Sequence, residues 1–319
     1  MATASIDSAH AEMVPLRHLQ AQDLEDLLVE ETAVWRRELS WDFAPSAALV
    51  RRYLDMRGLE GFACFVSGRL AGYIYFVEED HKALIGDVYV LQAYSGLDLD
   101  LRLLQTAMRE IQQRTSIRRA ESQLLLLRVA PERLPAWRNL TVFDRLFMMA
   151  GTTQPVPFAI PQGYELVPWT ELRQEEAAHL IADCYRHHID SQINDQYRDV
   201  AGARRFLLNI VQYPGCGNFF SEGAVAAIDR TGRLAGLSLT SMVAPHTGHI
   251  TQICVGTHAQ SQGLGGALLA FSLNSFAACG CRDASLTVTG SNSSAVHLYR
   301  NYGFTIARRF RAYVWQGWR

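Results

Sequence analysis

Between Val255 and the apolar run that starts at Leu264 lies a segment suited to meeting an anion: Gln260-Ser261-Gln262-Gly263-Leu264-Gly265-Gly266. Its glycines let the backbone turn tightly and approach a ligand with no side chain in between. A loop of this kind at the head of a helix aims several N–H groups at one point, and the helix dipole adds partial positive charge there. The chemistry implied is phosphate binding. The loop does not follow GxxxxGK[ST], as an NTPase P-loop would. Nor is it GxGxxG with an acidic residue about 20 positions on, so the dinucleotide fingerprint fits poorly. A plain strand-to-helix turn could use the same residues.

The elements around the loop are readable. His249–Val255 reads as a strand before it. A helix follows, with Leu264, Leu268 and Phe271 on one face and Leu269, Leu273 and Phe276 beside them. Ser285–Thr289 alternates like another strand. Then comes Asn292-Ser293-Ser294-Ala295-Val296-His297-Leu298-Tyr299, ending at Tyr302-Gly303-Phe304. Ser291 or Asn292 can cap this second helix and Gly303 can end it.

This arrangement occurs twice. Gly68-Arg69-Leu70-Ala71-Gly72 reappears as Gly232-Arg233-Leu234-Ala235-Gly236. Each copy joins two apolar strand-like runs, a hairpin signal. A third strand follows in each half, Leu84–Val90 and His249–Val255, then a loop and an amphipathic helix. The order of elements points to duplication. The Pro- and Gly-bearing stretch from Gly151 to Gly163 cannot be helix interior, which predicts one domain over 1–152 and another over 153–319. The expected fold class is α/β, in α+β layers, with a mixed and mostly antiparallel sheet flanked by helices in each half.

Composition narrows the function classes. The chain has 319 residues, 49% hydrophobic and 19% charged, enough for packed cores and unlike a disordered chain. Lys+Arg is 30 against Asp+Glu 32, a formal charge of -2 without long runs of one sign, so nucleic acid is not an expected partner. No apolar stretch reaches the roughly 18–20 residues of a membrane span. Met1–Arg17 lacks the basic head and apolar block of a secretory signal. The six cysteines form no CxxC, so no metal site is expected, and reduced thiols in a cytoplasmic protein are.

Taken together, the two segments resemble the GCN5-related N-acetyltransferase (GNAT) family. Its phosphate loop, Q/R-x-x-G-x-G/A, is met by Gln260, Gly263 and Gly265. Its later helix, N-x-x-A-x-x-L-Y-x-x-x-G-F, is met by Asn292, Ala295, Leu298, Tyr299, Gly303 and Phe304. The resemblance covers about residues 220–315 directly. A tandem chain with a weakened first copy is similar to mycothiol synthase-type acetyltransferases, although no residue here identifies recognition of a mycothiol precursor.

The resemblance implies an acyltransferase that uses acetyl-CoA as cosubstrate, passes the acetyl group directly to an amine in a ternary complex, and needs no metal. Ile253, Cys254 and Val255 would pair with the pantetheine arm. Gln260, Ser261, Gln262, Gly263, Leu264, Gly265 and Gly266 would hold the pyrophosphate. Asn292 would lie near the pantetheine, and Ala295 would leave it room. Tyr299 would be the general acid, since a phenol with a pKa of about 10 is protonated at neutral pH. His249 falls where many members have a glutamate and is the candidate base, with His246, Asp190 and Glu222 as other candidates. The polar segment His187–Tyr197 would cover the acceptor site. A small-molecule amine is the expected acceptor, ahead of a protein. The alternative is a non-catalytic acyl-CoA-binding or regulatory protein.

The first half departs from the pattern. Aligning Val90 with Val255 puts Asp98 at the place of Gly263, Asp100 at that of Gly265 and Ser95 at that of Gln260. Two carboxylates at a helix start cap it well but would repel a pyrophosphate. Trp137-Arg138-Asn139-Leu140 only faintly echoes the second motif. The first domain is therefore expected to keep the fold without binding the cofactor.

Overall fold

The computed structural model describes residues 11–130, 139–213 and 215–318. Met1–His10, within the N-terminal stretch, and Trp137 and Arg138, within the faint echo, lie outside the described residues. The described chain is a mixed, mostly antiparallel sheet flanked by helices, in two compact units. One unit comprises Met1–Leu39, Phe43–Phe143 and Phe310–Arg319; the other comprises Ser40–Asp42 and Asp144–Arg309.

In chain order, the first unit is built from β1 (Ala11–Pro15), α1 (Glu25–Leu39), α2 (Ala44–Asp55), β2 (Glu60–Val66), β3 (Arg69–Glu79), β4 (Lys82–Val90), α3 (Leu99–Gln113) and β5 (Arg119–Gln123). The next strand, β6 (Leu140–Gly151), carries the chain into the second unit. There follow β7 (Tyr164–Pro168), α4 (Gln174–Tyr185), the short α5 (Asp190–Ile193), α6 (Val200–Gln212), β8 (Asn218–Phe219), β9 (Val225–Asp229), β10 (Leu234–Ala244), β11 (Thr247–Val255), α7 (Leu264–Ala278), β12 (Asp283–Thr289), α8 (Ser293–Asn301) and β13 (Thr305–Gln316).

The two units use one plan. In the first, β1, β2, β3 and β4 are antiparallel neighbours, and β4 pairs in parallel with β5 over Lys82–Ile85 and Arg119–Ser122. In the second, β7, β9, β10 and β11 are antiparallel neighbours, and β11 pairs in parallel with β12 over Thr247–Ile250 and Asp283–Leu286. Each unit also carries a bulge at the same offset, along β4 in the first and β11 in the second. Gly86 is skipped between Ile85 and Asp87, and Thr251 between Ile250 and Gln252. A bulge re-aims the strand beyond it. Past the parallel pairs, residues 251–255 of β11 have no ladder partner in β12, so the sheet opens there.

The last strand of each half lies in the other unit. Arg145–Gly151 of β6 pairs with β12, while Ala312–Gln316 of β13 pairs with β5. Tyr313 and Trp315 thereby join the core around Leu103, Leu104 and Ile111 of the first unit. The compact units thus divide the chain differently from 1–152 and 153–319. The Pro-rich stretch marks where β6 ends, and backbone pairing that far along the chain leaves no local composition signal.

In the second unit, helices cover both sheet faces. Ala177, Leu180 and Ile181 of α4 and Leu207 of α6 pack on Ala226, Leu237, Leu239 and Cys254. On the opposite face, Leu269, Leu273 and Phe276 of α7 pack on Ile250, Leu286 and Val288 together with Val296 and Tyr299 of α8. Such two-sided cover explains why β10 is buried along nearly its whole length. Among the described residues no helix is long and apolar enough to cross a membrane, and no cluster of His, Cys, Asp and Glu could hold a metal ion.

Candidate functional site

The glycine loop has the conformation its composition predicts. Gly263 stands at the head of α7 with φ 85°, a left-handed conformation that glycine adopts without steric cost. Ser261 is also left-handed, at φ 60°. Gln260 Nε2 donates to the Val255 carbonyl at 3.0 Å and Gln262 Nε2 to that of His258 at 3.1 Å, so both side chains hold the loop to itself. Tyr164 Oη donates to Gln262 Oε1 at 3.2 Å. Beyond the loop, the first-turn N–H groups of α7 lack intrahelical partners, as at any helix start.

The three glycines serve different ends. Gly263 is fixed by its backbone angle. A Cβ on Gly266 would lie 2.5 Å from Tyr302 Oη, so that glycine makes room for a neighbour within the fold. A Cβ on Gly265 would meet only ordinary contacts, Leu298 at 3.5 Å and Val255 at 3.7 Å. A helical glycine costs about 1 kcal/mol against alanine, and no protein neighbour demands this one. It leaves bare backbone at the helix start, which fits a phosphate group.

The opening beside β11 is lined from α4. Tyr185 Oη donates to the Ile253 carbonyl and Cys184 Sγ to that of Val255, each at 3.4 Å. These carbonyls turn away from β10, on the edge expected to meet the pantetheine. Cys254 is buried, and its hydrogen bond with Cys184 together with burial pushes its thiol well up. A cavity of about 530 Å³ adjoins this edge, bounded by Asp183 and Cys184 of α4, Arg233 and Gly256–His258.

Across the opening, Asn292 caps α8, its Oδ1 accepting from Ala295 N at 3.2 Å. Tyr299, two turns on, is buried against Phe304. Burial, and secondarily the charge of Asp190, push its phenol far up. Tyr299 is therefore a protonated donor at any ordinary pH. Ala295 is half-buried beside it.

His249 is placed otherwise. It lies on the sheet face away from α7, 5% exposed, with Nδ1 2.9 Å from Ser285 Oγ and its ring 5.0 Å from that of Trp41. Burial pushes its pKa down to about 4. It is neutral at pH 7 but a weak base, set in packing. Of the other base candidates, Glu222 is exposed and pairs with Ser221, while Asp190 sits in a polar cluster.

That cluster was not legible as such in the sequence. Arg145 of β6 donates from Nη1 to Asp190 Oδ1 at 3.0 Å and to Thr289 Oγ1 at 2.7 Å, and from Nη2 to Thr287 Oγ1 at 3.2 Å. The Thr289 hydroxyl donates to Asp190 in turn. His188 adjoins Asp190 and Asn292. One donor here, Arg145 Nε, is buried without a hydrogen-bond partner among the described residues. The polar run His187–Tyr197 was the only sequence signal for this cluster; nothing local marks Arg145.

The equivalent place in the first unit is different. Asp98 heads α3 in the same left-handed conformation, at φ 53°. Asp100 bonds Leu101 N at 3.1 Å, and burial pushes its carboxyl up. These carboxylates line a cavity of about 100 Å³ with Val88–Val90, Tyr94 and Arg128.

Known proteins share this architecture. The profile described as Acetyltransferase (GNAT) family matches residues 175–304. A GCN5-related N-acetyltransferase from Sphaerobacter thermophilus is 18% identical, covering 96% of this chain and 95% of its own, with a TM-score of 0.70. A tandem GNAT protein from the clavulanic acid biosynthesis pathway is 15% identical, covering 96% and 98%, with a TM-score of 0.59. A GNAT-family acetyltransferase from Colwellia psychrerythraea is 12% identical, covering 96% and 99%, with a TM-score of 0.55. At these identities the likeness to solved structures is one of fold, and it runs the length of the chain. A search of curated proteins found no match. The glycine loop, the opened sheet and the Asn292–Phe304 motif all lie inside the segment, residues 175–304, that matches the GNAT acetyltransferase family.

Proposed function

We propose that this protein transfers an acetyl group from acetyl-CoA to the amine of a small molecule, by direct attack within a ternary complex, and that its second unit carries the chemistry. The observation that supports this best is the bare helix start at Gly263–Gly266 beside an opened strand edge, with a buried and protonated Tyr299 on the neighbouring α8. Bound there, acetyl-CoA supplies an activated acetyl carbonyl and a thiolate leaving group. The chain's part is to hold and to move protons. The loop N–H groups would hold the pyrophosphate, with Gln260, Ser261 and Gln262 shaping the approach. The Ile253–Val255 edge would align the pantetheine, once Tyr185 and Cys184 give up its carbonyls. Tyr299 would hydrogen-bond the departing sulfur and give it a proton. No acidic cluster in the sequence marks a polycationic protein acceptor, which favours a small amine.

The first unit takes no part in cofactor binding on this reading, because Asp98 and Asp100 stand where the phosphates would go. The test is calorimetric titration of the whole chain with acetyl-CoA, repeated on Gly263→Asp. One site, lost in the variant, is expected. Two sites would return the first unit to cofactor binding, and no binding at all would remove the acetyltransferase reading. Asp98→Gly should leave the number of sites at one.

A further inference from the structure

We propose that His188 is the base of the acetyl transfer, taking the amine proton on Nε2, with Asp190 and Arg145 as its positioning residues. The inference rests on the acetyltransferase reading above. It starts from a gap: an amine arriving as ammonium must lose a proton, and a base is most effective when it titrates near the working pH. His249 is buried behind Ser285 and Trp41 and pushed down to about 4, too weak for that work.

His188 follows α4 and keeps 31% of its side chain exposed. Its ring is held from three sides. Tyr185 meets it edge-on, with centroids 5.3 Å apart. Asn292 Nδ2 lies 3.2 Å from Nε2, and Asp190 Oδ2 3.5 Å from Nδ1. The partners fix the tautomer. Asn292 Oδ1 is engaged by Ala295 N and Ser294 Oγ, so its amide hydrogens face His188. Nε2 must then carry a lone pair, which meets the Asn292 amide until an acceptor amine takes that place, and the ring proton sits on Nδ1, toward the Asp190 carboxylate. The Asp190 backbone N–H also points at Nδ1, at 3.2 Å. Accepting that bond would put a proton on Nε2 against the Asn292 amide, so the carboxylate contact prevails.

Its place in the fold matches the role. Tyr185, which braces the ring, also bonds the Ile253 carbonyl on one side of the opened sheet, while Asn292 heads α8 on the other. His188 therefore spans the opening. Asp190 is anchored by Arg145 and Thr289 at the end of β12. The other titratable or charged groups packed around this cluster are Tyr185 of α4, Tyr197, Arg198, Cys254 of β11 and Tyr299 of α8. The step balances within them: one ammonium proton moves to His188 Nε2, the C–N bond forms as the C–S bond breaks, the thiolate takes the Tyr299 proton, and the second proton of the acylated nitrogen returns to the Tyr299 phenolate.

The first arm of the test is ¹⁵N NMR of histidine-labelled whole protein, followed with pH. The neutral form of His188 should carry its proton on Nδ1, and Asp190→Asn should change the Nδ1 resonance by removing the carboxylate it faces. A proton on Nε2, or an Nδ1 resonance indifferent to Asp190→Asn, would overturn the assignment. This arm reads whether or not an acceptor turns over. The second arm follows thiol release from acetyl-CoA with a panel of primary alkylamines. His188→Gln should cut kcat by about 10²–10⁴-fold and flatten the acid limb of the pH profile, with acetyl-CoA affinity unchanged. A His188→Gln protein that keeps rate and profile would also overturn it. Absence of acetyl-CoA binding by calorimetry would instead count against the parent reading.

Discussion

Burial and the neighbouring Asp190 keep the Tyr299 phenol protonated well beyond neutral pH. Tyr299→Phe should therefore leave acetyl-CoA affinity nearly unchanged and lower turnover by about 10²–10⁴-fold; unchanged turnover, followed by thiol release, would remove the general-acid role. A second residue-scale case lies in the first unit. Glu31 is fully buried and accepts from Tyr73 Oη at 2.9 Å. Desolvation, and then the nearby Asp87, push its carboxyl well up, while desolvation raises Asp87 to about 6. Unfolded carboxyls titrate near about 4. Between that value and the raised ones, the folded state binds more protons than the unfolded state. Stability contributed by this pair is full below pH 4 or so and is lost as pH rises through 6 and above. Glu31→Gln should raise the first unit's Tm at pH 8 and shrink its fall between pH 5 and 8, as read by calorimetric melting. Tyr299 was legible because its motif is contiguous. The acid pair was not, since its members come from α1 and β4 and only folding makes them neighbours.

At the scale of elements, α7 lies close on the sheet because the second residue of β11 is a glycine. A Cβ on Gly248 would stand 2.3–2.5 Å from three atoms of the Phe276 ring, which is fully buried. Gly248→Ala should cost about 1–3 kcal/mol as an overpacking change, measured by denaturant unfolding, whereas Gly265→Ala should be neutral or mildly stabilising for folding. If Gly265→Ala nonetheless weakens acetyl-CoA, its bareness serves the ligand. The glycine loop and the α8 cap could be read from the chain because turns and caps are local events. The polar cluster around Asp190 could not. Arg145 meets Thr289 across 144 positions and His188 meets Asn292 across 104. A histidine pair in a polar run looks the same whether it is solvated or held by a carboxylate.

At the scale of the molecule, the duplicated plan was legible from the repeated Gly-Arg-Leu-Ala-Gly and the matched element order, and the sheets bear it out down to the position of the bulge. The crossing of final strands was not, because a strand's apolar alternation is the same whichever neighbour it pairs with. That crossing predicts how fragments behave. Residues 153–319 alone lack Arg145–Gly151, which would leave β12 an open edge and Asp190 without its guanidinium. Such a fragment should aggregate or fail to give a cooperative melt, and a well-folded one would contradict the pairing described. A chain ending at Arg309 should lose the first unit, since Tyr313 and Trp315 are nearly fully buried there and Gln316 Oε1 accepts from Arg119 at 2.7 Å. The same exchange governs the order of events during synthesis. Domains usually condense as they leave the ribosome, at about 5–20 residues per second. Here β5 emerges early and its neighbour β13 only after the whole second unit has been made, a wait on the order of ten to forty seconds at that pace. Through that interval the nascent first unit exposes an unpaired strand edge, so this protein should depend on chaperones during translation more than a chain of two self-contained domains would.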